Sequence, residues 1–299
     1  MGELRKTRVL FIVNPISGIN RKNRFPDLVA KKLDQSRYDY EVIFTQHQGH
    51  ATELASKAVA QGYDLVVAVG GDGTINEIAR ALIGTRVGFG IIPSGSGNGL
   101  ARHLNIPLNQ RKALQIINKE NYQLIDTATI NGHRFCSLSG VGFDAMVAEK
   151  FAQTGIRGFF SYLRIIILEY FQYNPKTYQI ILDDKEAITE EAFFITFANS
   201  NQFGYGVIIA PEADLQDGLL DVCIVKKPEK SSLLRVIYLV MRNQAHRSNL
   251  IQIQHASKIK LIGNPNYFVN IDGDPLRMNE DIEVSVNPKS LKILTLKKR

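Results

Sequence analysis

The chain has 299 residues, 44% of them hydrophobic, which is long enough for two hydrophobic cores, so two domains are expected. Two cysteines, Cys136 and Cys223, exclude a disulfide framework, point to a reducing compartment and are expected in strands as small hydrophobes; Met1 to Lys6 shows no secretory signal. A net charge of +7 suits anionic surfaces, but the short clusters Arg21-Lys22-Arg24, Lys226-Lys227 and Lys297-Lys298-Arg299 form no continuous basic tract, which argues against nucleic acid as a partner.

The first part alternates strand and helix. An apolar strand at 8–13 runs into Asn14-Pro15-Ile16-Ser17-Gly18, followed by a helical pattern near 22–35, a strand near 40–45 and a helix near 50–61. The apolar run at 64–69 ends in Gly70-Gly71-Asp72-Gly73-Thr74-Ile75-Asn76, with a helix near 74–83. A strand at 87–92 then runs into Pro93-Ser94-Gly95-Ser96-Gly97-Asn98-Gly99 and a helix near 97–104. In a parallel sheet the three glycine-bearing turns lie together at the carboxyl ends of the strands, where ligands of doubly wound sheets bind. Glycines let backbone N–H groups approach phosphates, and a helix starting near Thr74 aims its positive end at the same anion. Asp72 is then placed to act on a metal or a hydroxyl, while Asp72, Thr74 and Ser96 are also residues that cap helices. With no G-x-x-x-x-G-K-[ST] sequence, phosphates are not held in the P-loop manner.

Beyond Asn118-Lys119-Glu120-Asn121 the texture turns β-rich. Strand-like runs span 123–130, 134–138, 177–182, 191–199, 219–225, 258–262, 267–271 and 282–286, punctuated by Asn131-Gly132 and Asp272-Gly273, which reads as a sandwich or barrel. Leu233-Leu234-Val236-Ile237-Val240-Met241 has helical spacing and is expected to pack on that sheet. Gly140-Val141-Gly142-Phe143-Asp144-Ala145 fits G-x-G-x-x-A but has no βαβ unit around it, so no dinucleotide site is expected there. The apolar stretch 159–171 is too short for a bilayer span and carries two charges. Burial is expected for it, in preference to a side offered to acyl chains or a partner. The six histidines show no metal spacing.

At these residues the chain resembles the lipid kinase family that includes diacylglycerol kinases of the soluble bacterial type, sphingosine kinases and ceramide kinases. The resemblance runs from Asn14–Gly18 through Gly70–Thr74 and Pro93–Asn98 to Asp214-Leu215-Gln216-Asp217-Gly218 and Asn270-Ile271-Asp272-Gly273-Asp274-Pro275, nearly the whole chain. Gly-Gly-Asp-Gly-Thr alone is shared with NAD kinases; the ordered set is more specific. It implies an α/β nucleotide-binding domain of NAD kinase/diacylglycerol kinase type over 1–128, to which 288–299 return. A β-sandwich lipid-binding domain over 129–287 and an active cleft between the two complete the expected layout.

The same resemblance implies that ATP is contacted by Asn14, Pro15, Ser17, Gly18, Thr45, Gly70, Gly71, Asp72, Gly73, Thr74, Asn76 and Ser96. Asp274 stands where relatives carry a glutamate and is expected to be the general base, with Asp72 as the alternative. Magnesium is expected with the ATP and also at a structural site formed by the Asp217 side chain and the carbonyls of Asp214 and Leu219, oxygen donors that suit a hard cation. Asp126 is either part of an active-site network or the cap of a strand end. The implied reaction moves the γ-phosphate of ATP to the hydroxyl of a membrane lipid. Diacylglycerol, giving phosphatidic acid, is favoured over a sphingoid base, although Asn98 is followed by Gly99 as in sphingosine-type relatives and not by aspartate. An NAD kinase-like phosphotransferase and an inactive lipid or nucleotide sensor are the alternatives. A cytoplasmic protein that docks transiently on the membrane surface is expected, and a homodimer is compatible with the resemblance.

Overall fold

The computed structural model describes residues 5–17, 24–154, 159–203, 207–232, 235, 238, 239, 242, 244, 247–263 and 266–296, the side chains of 159–162 excepted. Gly18 and most of the helical pattern at 233–241 lie outside the described residues. The chain divides into two compact units, Met1–Ile125 with Lys289–Arg299, and Asp126–Pro288.

In the first unit β1 (Thr7–Val13), β2 (Tyr38–Phe44), β3 (Leu65–Gly70) and β4 (Gly88–Pro93) pair in parallel in the order β2-β1-β3-β4. Both β3 and β4 are buried at every residue, as their unbroken apolar runs require when helices cover both faces of a sheet. The helices are α1 (Phe25–Lys32), α2 (His50–Ala60), α3 (Asp72–Leu82), α4 (Gly99–His103) and α5 (Gln110–Lys119). In α3 the buried residues Ile75, Ile78, Ala79 and Leu82 repeat at i, i+3, i+4 and i+7, one apolar stripe against the sheet. Registers Val13↔Phe44, Val13↔Val69 and Gly70↔Pro93 bring the carboxyl ends of the four strands level with one another.

The second unit is a β-sandwich. One sheet contains the later part of β5 (Tyr122–Ile130), β6 (His133–Phe135), β8 (Lys176–Leu182), β9 (Ile188–Ala192), β13 (Lys258–Ile262) and the earlier part of β16 (Ile282–Leu294). The other has the order β12-β11-β10-β7-β14-β15, from Ile251–Ala256, Leu220–Val225, Phe194–Ala198, Leu138–Gly142, Tyr267–Ile271 and Asp274–Met278 respectively. Alternate residues of both, among them Phe135, Tyr178, Ile180 and Leu261 from the first and Val141, Phe197, Val222 and Val269 from the second, form the core between them. Helices α6 (Phe143–Thr154) and α7 (Phe159–Tyr170) follow β7.

Several expectations change in detail. The run 134–138 is two strands, because the Asp272 carboxylate accepts the N–H groups of Cys136, Ser137 and Leu138 at 2.9, 2.8 and 3.0 Å where the chain passes from β6 to β7. The run 191–199 divides between β9 and β10, which belong to different sheets, and Phe193 N–H donates to Val225 O at 2.7 Å at the break. The G-x-G-x-x-A segment is the junction of β7 and α6 in an antiparallel sheet. Burial of 159–171 does not hold for its second half. Tyr170 is buried with Phe143, Met146, Val147, Tyr173 and Phe193, but Ile167, Leu168 and Phe171 are 43%, 55% and 58% exposed. Among the described residues no helix is long and apolar enough to cross a membrane.

Candidate active site

The three glycine-bearing turns are fastened to one another at the carboxyl edge of the parallel sheet. The ladder runs on into them: Asn14 N–H donates to Val69 O at 3.0 Å, Thr45 N–H to Val13 O at 2.9 Å and Ser94 N–H to Gly70 O at 2.7 Å. The first turn meets the second through Asn14 Nδ2, which donates to the buried Thr74 Oγ1 at 3.0 Å, while Asn14 Oδ1 accepts the Ile16 N–H at 2.9 Å. It meets the third through Ser94 Oγ, which donates to Ser17 O at 3.3 Å.

Second and third turns are joined by Asp72. Its Oδ2 accepts Asn98 N–H at 2.8 Å and its Oδ1 accepts Gly99 N–H at 2.7 Å, so the carboxylate caps α4 and both oxygens are engaged by backbone. Glycine is required for this approach: a Cβ on Gly95 would lie 2.7 Å from Gly71 Cα, and one on Gly97 would lie 2.5 Å from Asp72 Oδ2. No side chain caps α3 at Gly71, and Gly73 and Ser96 are exposed beside it. A helix start with this form presents positive potential to an anion.

The loop after Thr45 is held differently. Glu77, on α3, accepts Gly49 N–H and Ala51 N–H, both at 3.1 Å, and Thr52 Oγ1 donates to Glu77 O. The N-terminus of α2 is therefore satisfied by a carboxylate of the protein itself. His47, His50 and Glu53 bring ligand atoms within 4.8 Å of one another, a proximity the histidine spacing does not suggest. His50 Nδ1 accepts the Gln46 N–H at 3.1 Å, which puts the proton of the neutral ring on Nε2 and makes the ring a fastener of this loop.

In the second unit β14 and β15 form a hairpin with Ile271 opposite Asp274 and two central residues at positive φ, Asp272 at 52° and Gly273 at 94°. Asn270 Oδ1 accepts Gly273 N–H at 2.9 Å. Asp272 is committed to the three N–H groups named above, whereas Asp274 is exposed. A separate acidic loop follows Leu215. Buried Asp126 grips it: its N–H donates to Leu215 O at 2.6 Å and its Oδ2 accepts Gly218 N–H at 2.7 Å. Asp214 Oδ1 accepts Gln216 N–H and Asp217 Oδ1 accepts Leu219 N–H, at 3.1 and 2.9 Å. Nearby, Asp221 Oδ1 contacts His255 Nδ1 at 2.9 Å while its buried Oδ2 has no partner. Burial, Asp217 and Glu212 raise the Asp221 carboxyl above the usual carboxylate range, against the lowering effect of His255.

Residues 8–130 match the diacylglycerol kinase catalytic domain family, and residues 137–295 match the YegS C-terminal NAD kinase beta sandwich-like domain. The chain belongs to the family defined by this C-terminal β-sandwich-like domain, and it carries a diacylglycerol kinase catalytic domain before it. It is 28% identical to the diacylglycerol kinase of Mycobacterium tuberculosis strain H37Rv over 306 aligned residues, covering 98% of this chain and 97% of that protein. To the diacylglycerol kinase of Bacillus subtilis strain 168 it is 26% identical, covering 91% and 90%. A crystal structure of a diacylglycerol kinase from Bacillus anthracis shares the fold with a TM-score of 0.73 at 20% identity, covering 98% of both chains.

Within the catalytic domain of this family member, Asn14, Ser17, Gly70, Gly71, Asp72 and Thr74 come together, and Thr45 stands at the same sheet edge. Pro15 is exposed on the first turn, and Asn76 is buried in α3. Sequence reasoning did not single out Ser94, Asn98 or Glu77. Ser94 and Asn98 flank the chosen Ser96, but nothing in their spacing shows that their contacts run to other turns. Glu77 lies three residues beyond Thr74 on a helix face, where a carboxylate ordinarily reads as solvated.

Proposed function

We propose that the chain is an ATP-dependent lipid kinase that transfers the γ-phosphate to the hydroxyl of a membrane lipid, diacylglycerol first. The observation that carries this reading is the mutual fastening of three glycine turns around an uncapped helix start at the carboxyl edge of a parallel sheet. The nucleotide phosphates would be held by Asn14, Ser17, Gly70 to Thr74 and Ser96. Asp72 fixes the geometry of those turns, and Asp274 takes the proton of the attacking hydroxyl. Family membership supports the reaction class. Gly99 contributes its main-chain N–H to Asp72, a contact any residue at this position would make, so the glycine after Asn98 is not by itself an argument for a sphingoid base.

The acidic loop suits magnesium. Asp217 by side chain, with the carbonyls of Asp214 and Leu219, offers hard oxygen donors, and the surplus negative charge around the orphaned Asp221 Oδ2 fits a neighbouring cation. A magnesium ion there would neutralise the loop and fix its shape; one travelling with ATP would offset charge on the phosphates. Exposed Ile167, Leu168 and Phe171, with the net positive charge, support transient docking on an anionic membrane. The test is transfer from γ-labelled ATP to a panel of diacylglycerol, sphingosine, ceramide and NAD, resolved by thin-layer chromatography. Label in phosphatidic acid supports the reading, label in NAD replaces it with an NAD kinase, and binding of ATP or lipid without transfer to any acceptor makes the chain a sensor.

A further inference from the structure

One buried carboxylate lies outside every role assigned so far. Asp144, at the start of α6, is 9% exposed and neither of its oxygens has a partner in hydrogen-bond geometry. Its position follows from the sheet beneath it. Gly140 on β7 is paired with Thr196 on β10 and with Asn270 on β14, and residues directly opposite one another place their side chains on the same face. A Cβ on Gly140 would lie 3.2 Å from Asp144 Oδ2, so the carboxylate folds back over the glycine in the row that includes Asn270.

Asn270 already has one fixed contact, because its Oδ1 accepts the Gly273 N–H at 2.9 Å. That turns its amide nitrogen the other way, toward Asp144, whose charged form it favours. An ionised carboxylate only accepts hydrogen bonds, so it selects the nitrogen and repels the oxygen of the amide. The amide orientation in turn decides whether Gly273, the second central residue of the hairpin, finds an acceptor. We propose that Asp144 is a positioning residue that acts through Asn270 to hold the Asp272-Gly273 turn and with it Asp274. The catalytic part of this inference rests on the reading of Asp274 as general base.

The device is sensitive to pH. Burial pushes the Asp144 carboxyl up to about 7, with the Asn270 amide and nearby backbone N–H groups pulling the other way. The titratable groups around it are the phenols of Tyr173 and Tyr178, both raised by burial. Of the charged side chains on the packed elements, Arg277 of β15 pairs with Glu149 and Glu169 of α7 with Lys150, while Arg164 of α7 and Asp274 of β15 are exposed to solvent. Once protonated, Asp144 gains an O–H that competes with Gly273 for Asn270 Oδ1.

The test labels glycine with 15N and reads amide exchange protection at Gly273 in the wild type, Asp144→Ala and Asp144→Asn, beside turnover on the preferred lipid. Asp144→Ala should lose about tenfold or more of the protection at Gly273, with the glycine amides of the α/β unit unchanged. Its kcat should fall about tenfold to a hundredfold while the KM for ATP holds. Should the alanine variant fail to fold, Asp144→Asn carries the test: wild-type protection at Gly273 falls between about pH 8 and pH 6, and the asparagine variant shows no such fall. Unchanged protection in folded Asp144→Ala, or the same pH response in Asp144→Asn, overturns the proposal. Lost protection with unchanged kcat overturns its link to Asp274. A wild type that phosphorylates no lipid would defeat the kinase reading separately, since the Gly273 signal does not depend on turnover.

Discussion

The glycine turns of the α/β unit and the hairpin of the β-sandwich both place aspartates beside glycines, and the two use them differently. In the first, Asp72 commits both oxygens to the N–H groups of Asn98 and Gly99, and the glycines serve close approach of one backbone to another. In the second, Asp272 holds three N–H groups and Gly273 supplies a positive φ in open space, while Asp274, two residues on, stays exposed. An aspartate in a glycine-rich motif can therefore be a fastener of main-chain N–H groups.

The largest effect should come from blocking the contact between turns. Gly95→Val drives side-chain atoms into Gly71, so ATP binding measured by calorimetry should be lost, with destabilisation at or above the usual overpacking cost of about 1–3 kcal/mol. Full ATP affinity in a folded variant would break the shared-site reading. Asp72→Asn comes next. A carboxamide presents one oxygen where two N–H groups need acceptors, so stability should fall by about 1.5–3 kcal/mol, the range for a hydrogen bond to a charged group. ATP affinity should fall with it; weakened turnover at unchanged melting temperature would return Asp72 to a chemical role.

The fold class was legible because its signals are local. The unbroken apolar runs of β3 and β4 announce strands buried on both faces, and Asp272-Gly273 between β14 and β15 announces a two-residue hairpin turn. Strands β13 and β14 have the bounds expected of them, Lys258–Ile262 and Tyr267–Ile271. Helix α5 was missed although Asn109 caps it by accepting from Arg111 and Lys112 N–H, and Ala113, Leu114, Ile116 and Ile117 form its buried side. The charged residues that flank this side, Arg111, Lys112 and Lys119, masked that period. Helix α6 was missed because the glycines before it drew attention to a nucleotide motif. The apolar stretch of α7 was read by composition, which does not reveal that its final turns lack a covering element among the described residues. Within the site, the turns were legible and their fastening was not: which oxygen meets which N–H is a tertiary fact.

Two smaller effects sharpen the comparison. Asp144 has its proton affinity raised in the folded state, so its contribution to stability is fully present below the unfolded value of 3.8 and is lost as pH rises through about 7. Denaturant titrations of the wild type should show about 2 kcal/mol of decline between pH 5 and pH 7 from this group, and Asp144→Asn should remove that slope. A slope unchanged in Asp144→Asn would mean that the carboxylate is not buried as described. Magnesium should raise the melting temperature of the wild type by the equivalent of about 1 kcal/mol when present at several times its dissociation constant, and should not do so for Asp217→Asn. An equal rise in both would place the ion elsewhere.

Single-turnover transfer from γ-labelled ATP to the preferred lipid, with Asp274→Asn set beside the wild type, tests the central division between fastening and reacting carboxylates most directly. The account predicts a chemical step slowed by about two to four orders of magnitude, with ATP affinity and melting temperature unchanged, and activity retained in Asp274→Glu. An Asp274→Asn enzyme that transfers phosphate at the wild-type rate would contradict it and make Asp274 an ordinary residue of the hairpin.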